Sequence, residues 1–317
     1  VRAIVLGAGV CGLSCAERLL ECGFETEVWA REHQRATTST IAGAIWYPFH
    51  ANPIERVRGW AFESFARYQE IAPDPASGVV FRMGTEVFAP GVEPAEWVKE
   101  LPKLRELDTR ELPLGAARGV EFQAPVVETP IYMAWLERRV TRLGARFSTR
   151  NVLAFEEAFE HAPIVVDAAG LGARALAQDS DLHPVAGQIV HLEQQGFERF
   201  WFDFSGPQPT YVIPRAQDVV LGGSLEAEDA DDATRSNALA AIRARCFALE
   251  PRLAMARELG TSRGSRPARS VVRLEAQSPR KERLLVHDYG HGGAGITLAW
   301  GCAEEVARIA RTWRESR

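Results

Sequence analysis

The first thirty residues constrain the fold more than any other stretch. Arg2-Ala3-Ile4-Val5-Leu6 is an apolar run of strand length, and Gly7-Ala8-Gly9-Val10-Cys11-Gly12 follows it directly. From Val10 to about Glu21, Leu13, Ala16, Leu19 and Leu20 recur at helical spacing. Gly23 is placed to stop that helix, and Glu25–Ala30 reads as a second strand. A bare G-x-G-x-x-G is a weak signal, but strand, glycine turn, helix and strand in this order form the setting in which it holds a dinucleotide. Gly7 would make the tight turn, Gly9 would let the backbone approach a pyrophosphate, and Gly12 would let helix and strand pack closely. The helix N-terminus offers N–H groups to the phosphates. Ala8, Val10 and Cys11 join the three glycines as candidate cofactor contacts.

Composition removes several classes. A net charge of -5 over 317 residues argues against a nucleic-acid partner, which needs a basic face. No apolar run approaches the roughly 18–20 residues that cross a bilayer. The opening strand lacks a basic flank and a cleavage site, so neither a membrane partner nor a signal peptide is expected. The five cysteines are odd in number and scattered. Cys11 and Cys15 stand one helical turn apart with no second pair nearby, so no metal is expected. Reduced thiols in a cytoplasmic protein are the expectation.

Further along, Thr129-Pro130 suits a helix start, with threonine at the N-cap and proline at the first turn. Ile164–Asp167 reads as a buried strand that runs into the glycine turn at Gly170. Gln188–Leu192, Thr210–Pro214 and Asp218–Leu221 look antiparallel. Leu239, Ile242, Cys246 and Leu249 mark an amphipathic helix, and Val306, Ile309, Ala310 and Trp313 another. The expected fold class is α/β: a Rossmann-like dinucleotide-binding domain interleaved with an α+β substrate domain built on an antiparallel sheet. The expected division is 1–50, 124–184 and 262–317 for the first, and 51–123 and 185–261 for the second.

Several segments carry candidate chemistry. The second strand should end on an acid for the ribose, but the chain reads Ala30-Arg31-Glu32. Glu32 comes late, and Arg31 could instead meet the extra phosphate of NADP. Thr37-Thr38-Ser39-Thr40 can donate to phosphate or ribose, and Ile41-Ala42-Gly43-Ala44-Ile45-Trp46 allows close backbone approach to a flat group. Arg266 and Arg269 stand three residues apart, each a planar fork for a carboxylate. Tyr289-Gly290-His291-Gly292-Gly293-Ala294-Gly295-Ile296-Thr297 gives a flexible backbone that leads into the last helix. His291 and His287 are better read as hydrogen-bonding props than as bases. Thr37–Trp46 and Gly290–Thr297 have no use in a simple nicotinamide site, which favours FAD.

Together, Gly7–Gly12, Thr37–Trp46, Val185–Ile189, Tyr211–Pro214, Gly222-Gly223, Arg266–Glu275 and Tyr289–Cys302 resemble the D-amino acid oxidases over nearly the whole chain. The resemblance implies non-covalent FAD. Its contacts fall on Gly9, Val10, Thr37, Thr38, Ser39, Gly43, Ala44, Ile45, Val152, Gly170, Gly292, Gly295, Ile296 and Thr297, with Arg31 or Glu32 at the ribose. Arg269 matches the arginine that clamps the substrate carboxylate, Tyr211 the tyrosine that assists it, and Gly293 the carbonyl that receives the amine. Tyr47 stands in the pocket wall where animal members carry glutamine, and Pro207 replaces a lid tyrosine.

The implied reaction is oxidation of a neutral D-amino acid by hydride transfer from Cα to flavin N5. Hydrolysis then gives a 2-oxo acid and ammonia, and dioxygen gives hydrogen peroxide. The alternatives are a D-aspartate or glycine oxidase, with Arg215 as the second cation, an NADP-dependent reductase, or a non-catalytic nucleotide-binding module. The partners expected are a D-amino acid and dioxygen. A homodimer is an open expectation, since family members are often dimers.

Overall fold

A computed structural model describes residues 1–31, 37–48, 51–113 and 115–317. The opening unit folds as its pattern predicts, with β1 (Arg2–Leu6), α1 (Val10–Glu21) and β2 (Glu25–Ala30). The next strands are β3 (Val79–Phe88), β4 (Arg105–Glu106), β5 (Arg118–Val127), β6 (Arg146–Thr149), β7 (Ile164–Asp167) and β8 (His183–Glu193). β9 (Phe200–Asp203), β10 (Thr210–Pro214), β11 (Asp218–Gly222), β12 (Glu258–Arg280) and β13 (Arg283–His291) follow. The other helices are α2 (Thr38–Ile41), α3 (Ile54–Ile71), α4 (Thr129–Arg142), α5 (Phe155–Phe159), α6 (Ala173–Leu176), α7 (Asp232–Leu249) and α8 (Gly295–Glu315).

All thirteen strands hydrogen-bond into one sheet, in the order β4-β5-β3-β9-β10-β11-β8-β12-β13-β7-β1-β2-β6. From β13 to β6 every pairing is parallel. From β9 to β13 every pairing is antiparallel. From Ala3 to Leu6, β1 is apolar because both of its faces are covered. Ala3 and Val5 face the cluster of α1, α4 and α8, while Ile4 and Leu6 face Trp29, Phe159 and Leu285. The expected combination of a parallel unit and an antiparallel sheet is therefore present, as one continuous sheet.

α1, α3 and α4 meet around Glu17, which is fully buried. Its carboxylate accepts hydrogen bonds from Arg67 and Arg139, each at 2.7 Å. Such a charge is tolerable only because it is paired. α3, in a stretch where the sequence pattern set no element, packs tightly on α8. A Cβ added at Gly301 would lie 2.3 Å from the Trp60 carbonyl oxygen. Thr129 does not cap α4. Glu128 holds that position, and the Thr129 hydroxyl donates to Thr40 O and Ala42 O, pinning the loop after α2. No helix among the described residues is long and apolar enough to cross a membrane.

Gly301→Ala is expected to force α3 off α8. The cost should be about 1–3 kcal/mol or somewhat more, seen as a lower urea midpoint at unchanged m-value.

Candidate active site

The C-terminal ends of β1, β2, β7 and β13 open into a cavity of about 720 Å³ that runs beneath the antiparallel sheet. Ligands of open parallel sheets bind at this edge. One end is bounded by Trp29, Ala30, Arg31, Arg150 and Val152, the other by Tyr47, Phe202, Phe204, Tyr211 and Arg266. Gly7, Ala8, Gly9, Val10, Cys11, Thr37, Thr38, Ser39, Gly43, Ala44, Ile45, Gly170, Gly292, Gly293, Gly295 and Ile296 line the path between. Glu32 lies outside the described residues.

The first turn behaves as its glycines require. Gly7 has φ +116, and a Cβ there would lie 2.3 Å from Ala168 O. Gly12 is not in the lining. It lies under the turn, where a Cβ would come 2.0 Å from Gly7 O, so its role is packing. Ser39 Oγ accepts from the Val10 N–H at 3.1 Å, which brings the hydroxyl loop onto the N-terminus of α1. Ala44 is a non-glycine residue with φ +46, a strained conformation held where the backbone lines the cavity. Thr297 also lies off the lining. It exchanges two hydrogen bonds with the Tyr47 backbone, at 2.9 and 3.0 Å, and so fixes the residue that forms the far wall.

The roof follows strand alternation in β8 and β10. Tyr211 and Ile213 on β10, Gly187 and Ile189 on β8, and Gly264 and Arg266 on β12 all face the cavity. Two glycines make room for the long side chains. A Cβ at Gly187 would meet the Arg266 guanidinium at 2.2 Å, and one at Gly222 would meet the Tyr211 ring at 2.1 Å. Arg266 Nη1 donates to Ala186 O at 3.2 Å and to Ser224 O at 3.0 Å, so the fork is fixed. Burial raises the Tyr211 pKa, while Arg266 beside it pulls the other way.

The expectation that Arg269 clamps a carboxylate is corrected by this geometry. β12 changes partner and shifts register after Ala268, between the two arginines. Arg269 does not line the cavity, and its Nε donates to Asp179 Oδ2 at 2.9 Å while Nη1 donates to Val271 O at 2.7 Å. Arg266 is the arginine in the lining. Arg215, the expected second cation, is also absent from the lining. Its Nε donates to Asp218 at 2.6 Å across the β10–β11 turn.

Tyr47 lines the cavity, and its hydroxyl donates to Glu86 Oε1 at 2.6 Å. Sequence reasoning missed Glu86, a lone acid in a strand with no motif around it. Burial pushes its pKa up to about 7, opposed by the Tyr47 hydrogen bond and reinforced by Asp203. His287 is buried against Asp167, Nδ1 to Oδ2 at 3.1 Å, in the propping role expected of it.

The residues present fit a dinucleotide with a flat ring: a glycine turn, two helix N-termini, and a strained backbone at the ring end. The model of the FAD dependent oxidoreductases matches residues 2–309. The chain belongs to that family, and its cofactor is FAD. A D-amino-acid oxidase of Rubrobacter xylanophilus is 44% identical over 317 residues, covering 98% of this chain and 95% of that protein. The D-amino-acid oxidase of Streptomyces coelicolor is 37% identical, covering 97% and 96%. Human D-aspartate oxidase is 33% identical, covering 97% and 94%. Among solved structures, glycine oxidase from Geobacillus kaustophilus superposes with TM-score 0.77 at 16% identity, over 100% of this chain and 95% of that one.

Glu86 supplies a pH test. Its folded pKa lies above the ordinary carboxylate value, so the native state holds a proton that the unfolded state has lost. The native state should therefore lose stability as pH rises from about 4 to 8, by on the order of 3 kcal/mol. Glu86→Gln should remove that slope in denaturant midpoints taken across the range.

Proposed function

We propose that the chain oxidises neutral D-amino acids to 2-oxo acids and ammonia, with dioxygen reduced to hydrogen peroxide. The observation that carries this is the convergence of Arg266 and Tyr211 at the end of the cofactor cavity, in space cleared by Gly187 and Gly222. Bound FAD supplies the two-electron acceptor. Arg266 takes the substrate carboxylate by its fork, and the Tyr211 hydroxyl adds a bond to the same group. The Gly293 carbonyl accepts from the amine. Three fixed points orient Cα, so the protein contributes chiefly by positioning. No side-chain base is needed when the amine enters neutral. Arg31, at the ribose end of the cavity, has the FAD adenosine as its proposed neighbour. The NADP reading of that residue falls with the family assignment.

The wall of Tyr47, Phe202, Phe204 and Ile213 favours an apolar side chain over an acidic one. A D-aspartate oxidase needs a second cation in the substrate pocket. Arg215 is committed to Asp218, and Arg263 donates to Glu228 O at 2.8 Å. The proposed division of the chain keeps the substrate domain on the antiparallel strands and the cofactor domain on the parallel ones. α3 is better grouped with the cofactor side, because it packs on α8.

Peroxide release across a panel of D- and L-amino acids tests the reading. Turnover of D-alanine, D-valine or D-phenylalanine is expected, and turnover of D-aspartate alone would overturn the neutral preference. Arg266→Ala should lower kcat/KM by about 2–5 kcal/mol, mostly through KM. Arg269→Ala should instead lower the melting temperature by leaving Asp179 short of a partner, with a smaller loss in kcat/KM.

A further inference from the structure

Three thiols, an imidazole and a carboxylate gather beside the cofactor cavity, and the proposed oxidation uses none of them. Cys11 and Cys15 stand on successive turns of α1, Cys302 lies on α8, and Asp288 and His291 end β13. Cys15, Cys302, Asp288 and His291 are buried, whereas Cys11 is half-buried and lines the cavity. Cys11 Sγ lies 3.5 Å from His291 Nδ1, and His291 Nε2 lies 3.2 Å from Asp288 Oδ1. The Cys15 thiol donates to the other oxygen of Asp288 at 3.2 Å.

Nucleophile, imidazole and orienting carboxylate thus stand in line, the arrangement that activates a thiol. Burial alone would lower the His291 pKa, but Cys11 and Asp288 hold it well above its ordinary value. A protonated ring would present Nδ1–H to the Cys11 sulfur. His291 Nε2 and Asp288 Oδ1 have no hydrogen-bond partner, so they attract as charges. Burial pushes the Cys15 and Cys302 thiols up and leaves them unreactive, and neither lines the cavity as Cys11 does.

We propose that Cys11 is a peroxide-reactive thiol, and that its oxidation to a sulfenic acid loosens the bound FAD. The reading of the site as an oxidase is needed only for the source of the oxidant, the hydrogen peroxide released into the same cavity. The Cys11 thiolate attacks one peroxide oxygen, an S–O bond forms, and the O–O bond breaks. Sulfur loses two electrons and the peroxide gains them. The departing hydroxide takes the proton from His291 and leaves as water. The new oxygen sits on a residue that lines the cavity at the first turn of α1, beside Gly9 and Val10, and crowds that turn against the bound FAD. Displacing that turn withdraws the N–H groups that face the pyrophosphate.

The test adds hydrogen peroxide stepwise to the FAD-loaded enzyme, with no amino acid present. Sulfenic acid is trapped with dimedone and mapped by peptide mass, and released FAD is measured by fluorescence after filtration. The expected result is a dimedone adduct on the Cys11 peptide, FAD released in parallel, and reversal by dithiothreitol. Cys11→Ser should keep its FAD at peroxide levels that strip the parent. His291→Asn should slow labelling on the order of a hundredfold. Labelling of Cys22 with Cys11 unmodified would overturn the proposal, as would labelled Cys11 with FAD fully retained. The adduct map of the parent decides the point even where a variant fails to fold. Because peroxide is supplied, a failure here leaves the proposed amino-acid oxidation standing.

Discussion

The whole arrangement depends on one strand that changes partners. β12 pairs antiparallel with β8 from Glu258 to Ala268, and then with β13 from Ala268 to Arg280, with a register shift after Ala268. Its first half belongs to the antiparallel roof and its second half to the edge of the parallel layer. Backbone hydrogen bonds therefore run unbroken from one to the other, and the cavity sits under the strand that joins them. A hinged pair of separate sheets would leave the distance between Arg266 and the glycine turn at Gly7 to side-chain contacts. Here that distance is set by a ladder, which is stiffer.

That ladder also decides which arginine reaches the cavity. The Ser262–Pro267 stretch of β12 lines the cavity, Gly264 and Arg266 included. The bulge then lets the chain turn, so that Arg269 meets Asp179 instead. The neighbouring strands repeat the logic, with an empty position set against each long side chain. Gly187 on β8 faces the Arg266 guanidinium, and Gly222 on β11 faces the Tyr211 ring. The reach of these side chains into the cavity comes from removing neighbouring side chains as much as from their own length.

The opening unit was legible to the residue, because β1, α1 and β2 each show a clean period and the glycines mark the turn between them. β10 and β11 were legible for the same reason. α3 and the long hairpin of β3 and β5 were not. Their burial is set by partners far along the chain, such as α8 against Trp60, and a local window does not see them. Thr129 looked like a cap because its type and the following proline fit one, but tertiary bonds to Thr40 and Ala42 claimed its hydroxyl. The site divides in the same way. Residues in glycine-rich turns were found, since those turns carry their own signature. Arg266 was named as a fork but the clamp was assigned to Arg269, and Glu86 was missed, since which side chains of a strand reach a cavity depends on the strands beside it.

Arg269 gains a clearer purpose from its place off the cavity. Asp179 is buried and collects hydrogen bonds from Arg269, Arg273 and the Tyr289 hydroxyl. Burial would raise its pKa, but Tyr289 and Arg269 bring it below the ordinary value. The carboxylate is therefore a charged anchor between β12 and the end of β13. Immediately after Tyr289 comes Gly290, where a Cβ would lie 2.8 Å from the Arg269 Cβ. The same contact that denies Arg269 to the substrate sets where the chain enters Gly290–Gly293. The carbonyl proposed to receive the amine is thus placed by an arginine that never touches it.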